Sequence, residues 1–171
     1  MKDSNAVVAV FENHEQAERA IKEIERSGFE MKRLSIVGRG YHSEEQPTGF
    51  YSTGDRMKAW GGVGAFWGGL WGMLVGAAFF WIPGLGPLVV AGPFVSVLVG
   101  AIEGATLVGG LSALGAALAG LGVPHNSIVK YEKHIKADRY LLIAHGARED
   151  VKRARAALEH SEATEAEVFA G

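Results

Sequence analysis

The sequence predicts an α+β fold in which two polar βαβ halves enclose an apolar, glycine-rich middle. Three observations carry this. Short β-branched runs alternate with amphipathic helical patterns at both ends of the chain. From Ala59 to Gly122 the only charged side chain is Glu103. Within that stretch glycines recur every fourth residue at Gly64, Gly68, Gly72 and Gly76, a spacing that puts them on one side of a helix.

Residues 1–38 are the first half. Ala6 to Phe11 (AVVAVF) suits a buried strand. Asn13 and Gln16 form a capping box for a helix that buries Ala17, Ala20, Ile21 and Ile24 and stops at Gly28. Leu34 to Gly38 reads as a second strand. Residues 39–58, rich in Gly, Ser, Thr, Glu and Pro, read as a linker, with a short hairpin using Tyr41, Phe50 and Tyr51 as the alternative.

Residues 123–171 repeat the head. His125 to Lys136 reads as a helix, Arg139 to His145 as a strand, Glu149 to His160 as a helix and Glu165 to Ala170 as a closing strand. Two such halves predict a ferredoxin-like split βαβ sandwich, a four-stranded antiparallel sheet with two helices on one face. Residues 59–122 are then an insertion, and both its ends must emerge on one side.

The insertion is expected to be a glycine-zipper helical hairpin that is transmembrane. Ala59 to Ile82 offers about 24 residues, enough to span a hydrocarbon core of roughly 30 Å. Pro83 to Pro87 reads as the turn, and a second apolar run continues from Leu88 past Val108; the alternatives are a helix that starts at Gly92-Pro93, leaving Leu88 to Ala91 as an apolar loop, and a break at Gly109-Gly110 before a third piece from Leu111 to Leu121. Gly92, Ser96, Gly100 and Gly104 repeat the four-residue row, so both rows are candidate helix-packing surfaces. Lys and Arg flank the hairpin while its turn is uncharged, which places both termini in the cytoplasm of a membrane-bound protein. The alternative is a soluble assembly whose apolar helices are buried between subunits.

Reaction chemistry is sparse. The chain has 171 residues, a net charge of -2 and no cysteine. That gives no reason to expect nucleic acid and excludes disulfides and thiolate chemistry. The six histidines are scattered, and no Walker, dinucleotide or nucleophile-elbow motif is present. No catalytic residue, metal or cofactor is expected, and no small-molecule ligand is indicated. Glu103 alone is a candidate polar, ion or proton contact, because an acid within a span is costly.

The opening VVAVFENHEQAERAIKEIERSGFEMKRLSIVGR is similar to the N-terminal module of bacterial general stress proteins of the heat-induced type. The glycine-rich middle and the YLLIAHG tail resemble small glycine-zipper membrane proteins of unknown function. The resemblance implies a bacterial, stress-associated, oligomeric protein and supplies no active-site residues. The expected function is a non-enzymatic membrane homo-oligomer whose polar domain mediates assembly or sensing. The soluble assembly, holding a lipid or other hydrophobic guest, is the second expectation, and a channel or transporter using Glu103 is the third.

Overall fold

The computed structural model describes residues 5–39, 77–82, 85–103 and 112–170. The first half is β1 (Asn5–Phe11), α1 (His14–Arg26), a 3-10 turn (Met31–Arg33) and β2 (Leu34–Arg39). The Asn13 side chain accepts from the Gln16 N–H at 2.9 Å, and the Gln16 carbonyl accepts from the Glu12 N–H at 3.1 Å. Within the middle stand β3 (Ala77–Ile82), β4 (Gly86–Ala91), α2 (Phe94–Glu103) and α3 (Ala113–Gly120). The second half is α4 (His125–Lys136), β5 (Tyr140–Gly146), α5 (Arg148–Leu158) and β6 (Glu165–Ala170).

All six strands join one sheet in the order β3-β4-β2-β5-β1-β6, and every neighbouring pair is antiparallel. The four strands of the two halves thus interleave as β2-β5-β1-β6. This is the arrangement that two split βαβ units require. α1 and α5 cover one face, where Val7, Ala9 and Phe11 of β1 meet Ile21 and Ile24 of α1 and Val151 and Leu158 of α5.

The other face is where expectation fails. A sandwich with helices on one face leaves its second face to water. Here Ala6, Val8 and Val10 of β1, with Leu141 and Ile143 of β5, are buried beneath residues of α2, α3 and α4. The insertion therefore completes a three-layer structure. That explains why AVVAVF and YLLIA are continuous apolar runs: strands covered on both faces show no alternation.

The helical hairpin is corrected accordingly. Ala77–Ile82, assigned above to the end of a first span, is a strand paired with β4. Leu88–Ala91, assigned to the second apolar run, belongs to β4 and pairs with β2 from Ile36↔Ala91 to Arg39↔Leu88. β-branched and aromatic residues at these positions favour the pleated state. The turn between the strands is short. The Leu85 N–H bonds the Ile82 carbonyl at 3.0 Å, and Gly86 follows at φ +81°. A three-residue hairpin connection ends on a left-handed residue of this kind. Arg39 fixes the turn by donating to the Leu85 carbonyl at 3.1 Å while reaching Asp138 at 3.3 Å.

Among the described residues of the second run, ten form the helix α2, a length of about 15 Å and half of a hydrocarbon core. Among the described residues no helix is long and apolar enough to cross a membrane. The transmembrane placement thus loses its support in these segments. The earlier part of the first span, with Gly64, Gly68, Gly72 and Gly76, lies outside the described residues, as do the linker 40–58 and Gly104.

Candidate functional site

α2 follows β4 across a sharp turn, and its start is built from three residues. Gly92 has φ +102°, and a Cβ there would lie 2.3 Å from the Leu34 carbonyl oxygen. Only glycine fits both constraints. Pro93 precedes the helix without needing a backbone donor. The Phe94 N–H, one of the first-turn donors that a helix leaves unpaired, bonds the buried Ser35 hydroxyl oxygen at 3.0 Å. Gly92 is therefore not a member of a helical packing row, as expected above. Its role is close approach of two backbones.

Phe94 and Leu98 anchor α2 to the core. Full burial of side chains this size contributes about 1.5–3 kcal/mol each. Some apolar side chains of α2 are nonetheless exposed. Val97 and Val99 are each 37% exposed and Ile102 is 44% exposed. Stepping 100° per residue from Leu98, the ridge farthest from the core is Ser96, Gly100 and Glu103, with Val97 and Val99 on its flanks. A Cβ at Gly100 would meet nothing within 4 Å. Of the second predicted row, then, Ser96 and Gly100 share an exposed helix face.

Glu103 closes α2 and is exposed. It is not an acid sunk in an apolar span. A carboxylate in the last turn is opposed by the helix dipole, whose negative end is there. No hydrogen bond or ion pair to it stands among the described residues.

The main polar cluster lies elsewhere, between α4 and β6. Lys130 Nζ stands 2.9 Å from Glu165 and 2.5 Å from Glu167, and the His134 ring is 3.6 Å from Glu165. Arg139 contacts His134 Nδ1 at 2.7 Å, so that nitrogen accepts and Nε2 carries the proton. The Lys130 hydrogen bond draws the Glu165 carboxyl below its usual range. Burial alone lowers Lys130, but its bonds to Glu167 and Glu165 outweigh this and raise it. Each charge here is answered by its neighbour. The cluster is a partly exposed, ion-paired strap between α4 and the edge strand β6. Among the described residues no group of three or more His, Cys, Asp or Glu is placed to hold a metal.

Residues 6–80 match the heat-induced stress protein YflT domain. Over that segment the chain is similar to a heat-induced stress protein domain. No curated protein and no solved structure matches it. The YflT match begins in β1 and ends inside β3. It therefore takes in the first βαβ unit and leaves α2 outside. The stress-protein match assigns no role to Val97, Val99 and Ile102, which sequence reasoning passed over. Their signal was visible: PFVSVLVGAIE is apolar all round, more than one core-facing stripe needs.

Proposed function

We propose that this stress-associated protein acts by self-association, without catalysis, and that the outward apolar side of α2 is buried between copies. The observation that carries the reading is that side itself: a helix anchored by Phe94 and Leu98 that still exposes Val97 and Val99 on the flanks of its outward ridge. Burying such residues against a second surface removes apolar area from water, worth about 25 cal/mol per Å². The stress-protein match supports the stress association. An ion path through Glu103 has no comparable support, because the residue is exposed at the end of a ten-residue helix.

The test is the mass of the purified full chain, without detergent, by light scattering across a dilution series. A concentration-dependent dimer or larger assembly is expected. A monomer at every concentration overturns the reading. Recovery of the protein only in the membrane fraction overturns it in favour of a bilayer-bound form.

A further inference from the structure

We infer that two copies pair through α2, laid antiparallel across a twofold axis that passes opposite Leu98. This rests on the self-association proposed above and specifies its geometry. The outward side of α2 is self-complementary about that point. Ser96 and Gly100 are equidistant from Leu98, so the small residue of one copy meets the small residue of the other. Val97 and Val99 are equidistant too, so the exposed valines of the two copies meet across the axis. A twofold contact of this kind uses the same patch on both partners and closes on itself.

Charge selects the antiparallel direction. Glu103 is disfavoured at the C-terminal end of its own helix. In the antiparallel pair it lies beside the start of α2 in the second copy, where the helix dipole is positive. A parallel pair sets two Glu103 carboxylates side by side. Charge also decides against a lipid surface. α2 has an acid on its outward ridge and no lysine or arginine, whereas helices that rest on membranes carry basic residues along the polar side. The open space at Gly100 permits backbones to approach at or below the usual 8–10 Å between helix axes.

The native chain has no cysteine, which makes cross-linking clean. One preparation carries Ser96→Cys and another carries Gly100→Cys, both at exposed positions. They are mixed and oxidised. The mixed disulfide is expected to exceed either homodimer. Two residues at position 96 are displaced by about 6 Å along the axis, which leaves their Cα atoms at about the 7 Å limit of a disulfide, whereas residue 96 of one copy and residue 100 of the other stand at the same height and well inside it. Glu103→Gln is expected to raise the dimer dissociation constant about 3- to 30-fold, from the loss of two helix-end interactions.

The outcomes separate the two readings. If the unsubstituted protein dimerises but disulfides between two copies of position 96 dominate, or none form, the antiparallel pairing is wrong and self-association stands. If the unsubstituted protein is monomeric, both fail. If the monomer co-sediments with phosphatidylcholine vesicles, the occupant of α2 is lipid and the pairing is overturned.

Discussion

Gly92 and Gly100 stand in the same four-residue row of the sequence, yet they should respond to alanine with opposite signs. At Gly92 the new methyl meets the Leu34 carbonyl oxygen at 2.3 Å, the Ser35 hydroxyl oxygen at 2.7 Å and the Ser35 Cα at 2.8 Å. Two of these are backbone atoms of β2, which is hydrogen-bonded to β4 and β5 and cannot step aside. Holding a non-glycine residue near φ +102° costs about 1–3 kcal/mol. Overpacking against a fixed neighbour adds about 1–3 kcal/mol. Gly92→Ala should therefore lose about 2–6 kcal/mol, a large part of the roughly 5–15 kcal/mol that holds a domain together. With a urea slope near 2 kcal/mol/M, the unfolding midpoint falls by about 1–3 M. Gly100→Ala meets nothing, and helix propensity should raise stability by about 0.5–1 kcal/mol. Urea unfolding followed by far-ultraviolet circular dichroism reads both. Equal shifts, or a Gly92→Ala midpoint unchanged from the parent, would refute the placement of α2 against β2.

Three further expectations follow from single contacts. Ser35→Ala strips the acceptor from the Phe94 N–H in a buried setting and should cost about 1–3 kcal/mol in the same assay; no loss would mean that the start of α2 is satisfied some other way. Tyr131 is fully buried, its hydroxyl has no hydrogen-bond partner among the described residues, and burial raises its pKa. Tyr131→Phe should thus be neutral or stabilising by up to about 1 kcal/mol, and a clear loss of stability would show a hidden partner for the hydroxyl. Lys130→Met should leave the fold intact, cost no more than about 1 kcal/mol because the pairs are partly exposed, and speed amide exchange in β6. The same strap weakens with acid. The Glu165 carboxyl is lowered by its Lys130 bond, so its stabilisation is present above the unfolded value of 4.5 and is lost as pH falls through the lower folded value. Exchange in β6 that is unchanged on acidification, or in Lys130→Met, would count against the strap.

The outer thirds of the chain were readable because local chemistry and tertiary structure agree there. Asn13 and Gln16 cap a helix whose buried side is Ala17, Ala20, Ile21 and Ile24, and the structure has the same cap and the same side. Repetition of the strand and helix pattern around Tyr140–Leu158 sufficed to interleave the halves. The middle misled for a physical reason. An apolar run without alternation suits a membrane helix, a buried helix or a strand covered on both faces. What separates them is length between turns and the density of β-branched residues. Leu88–Val89–Val90, close behind a Pro- and Gly-rich turn, met both criteria for a strand. The candidate surface was half legible. The four-residue spacing picked out Ser96 and Gly100 on one exposed ridge. It also swept in Gly92, whose partner is the distant Leu34 carbonyl, a contact that spacing along the chain does not encode.

The strand order carries a consequence for synthesis. β1 touches β5 and β6, and β2 touches β4 and β5; β1 and β2 never touch each other. Among the described residues of 6–80, the segment that matches a family, no strand pairs with β1. On a ribosome β1 waits for Tyr140–Gly146 before it has anything to bond, more than one hundred residues of elongation later. At about 5–20 residues per second that interval lasts roughly 6–26 seconds. The strand order thus separates the synthesis of β1 from the synthesis of the strands it pairs with.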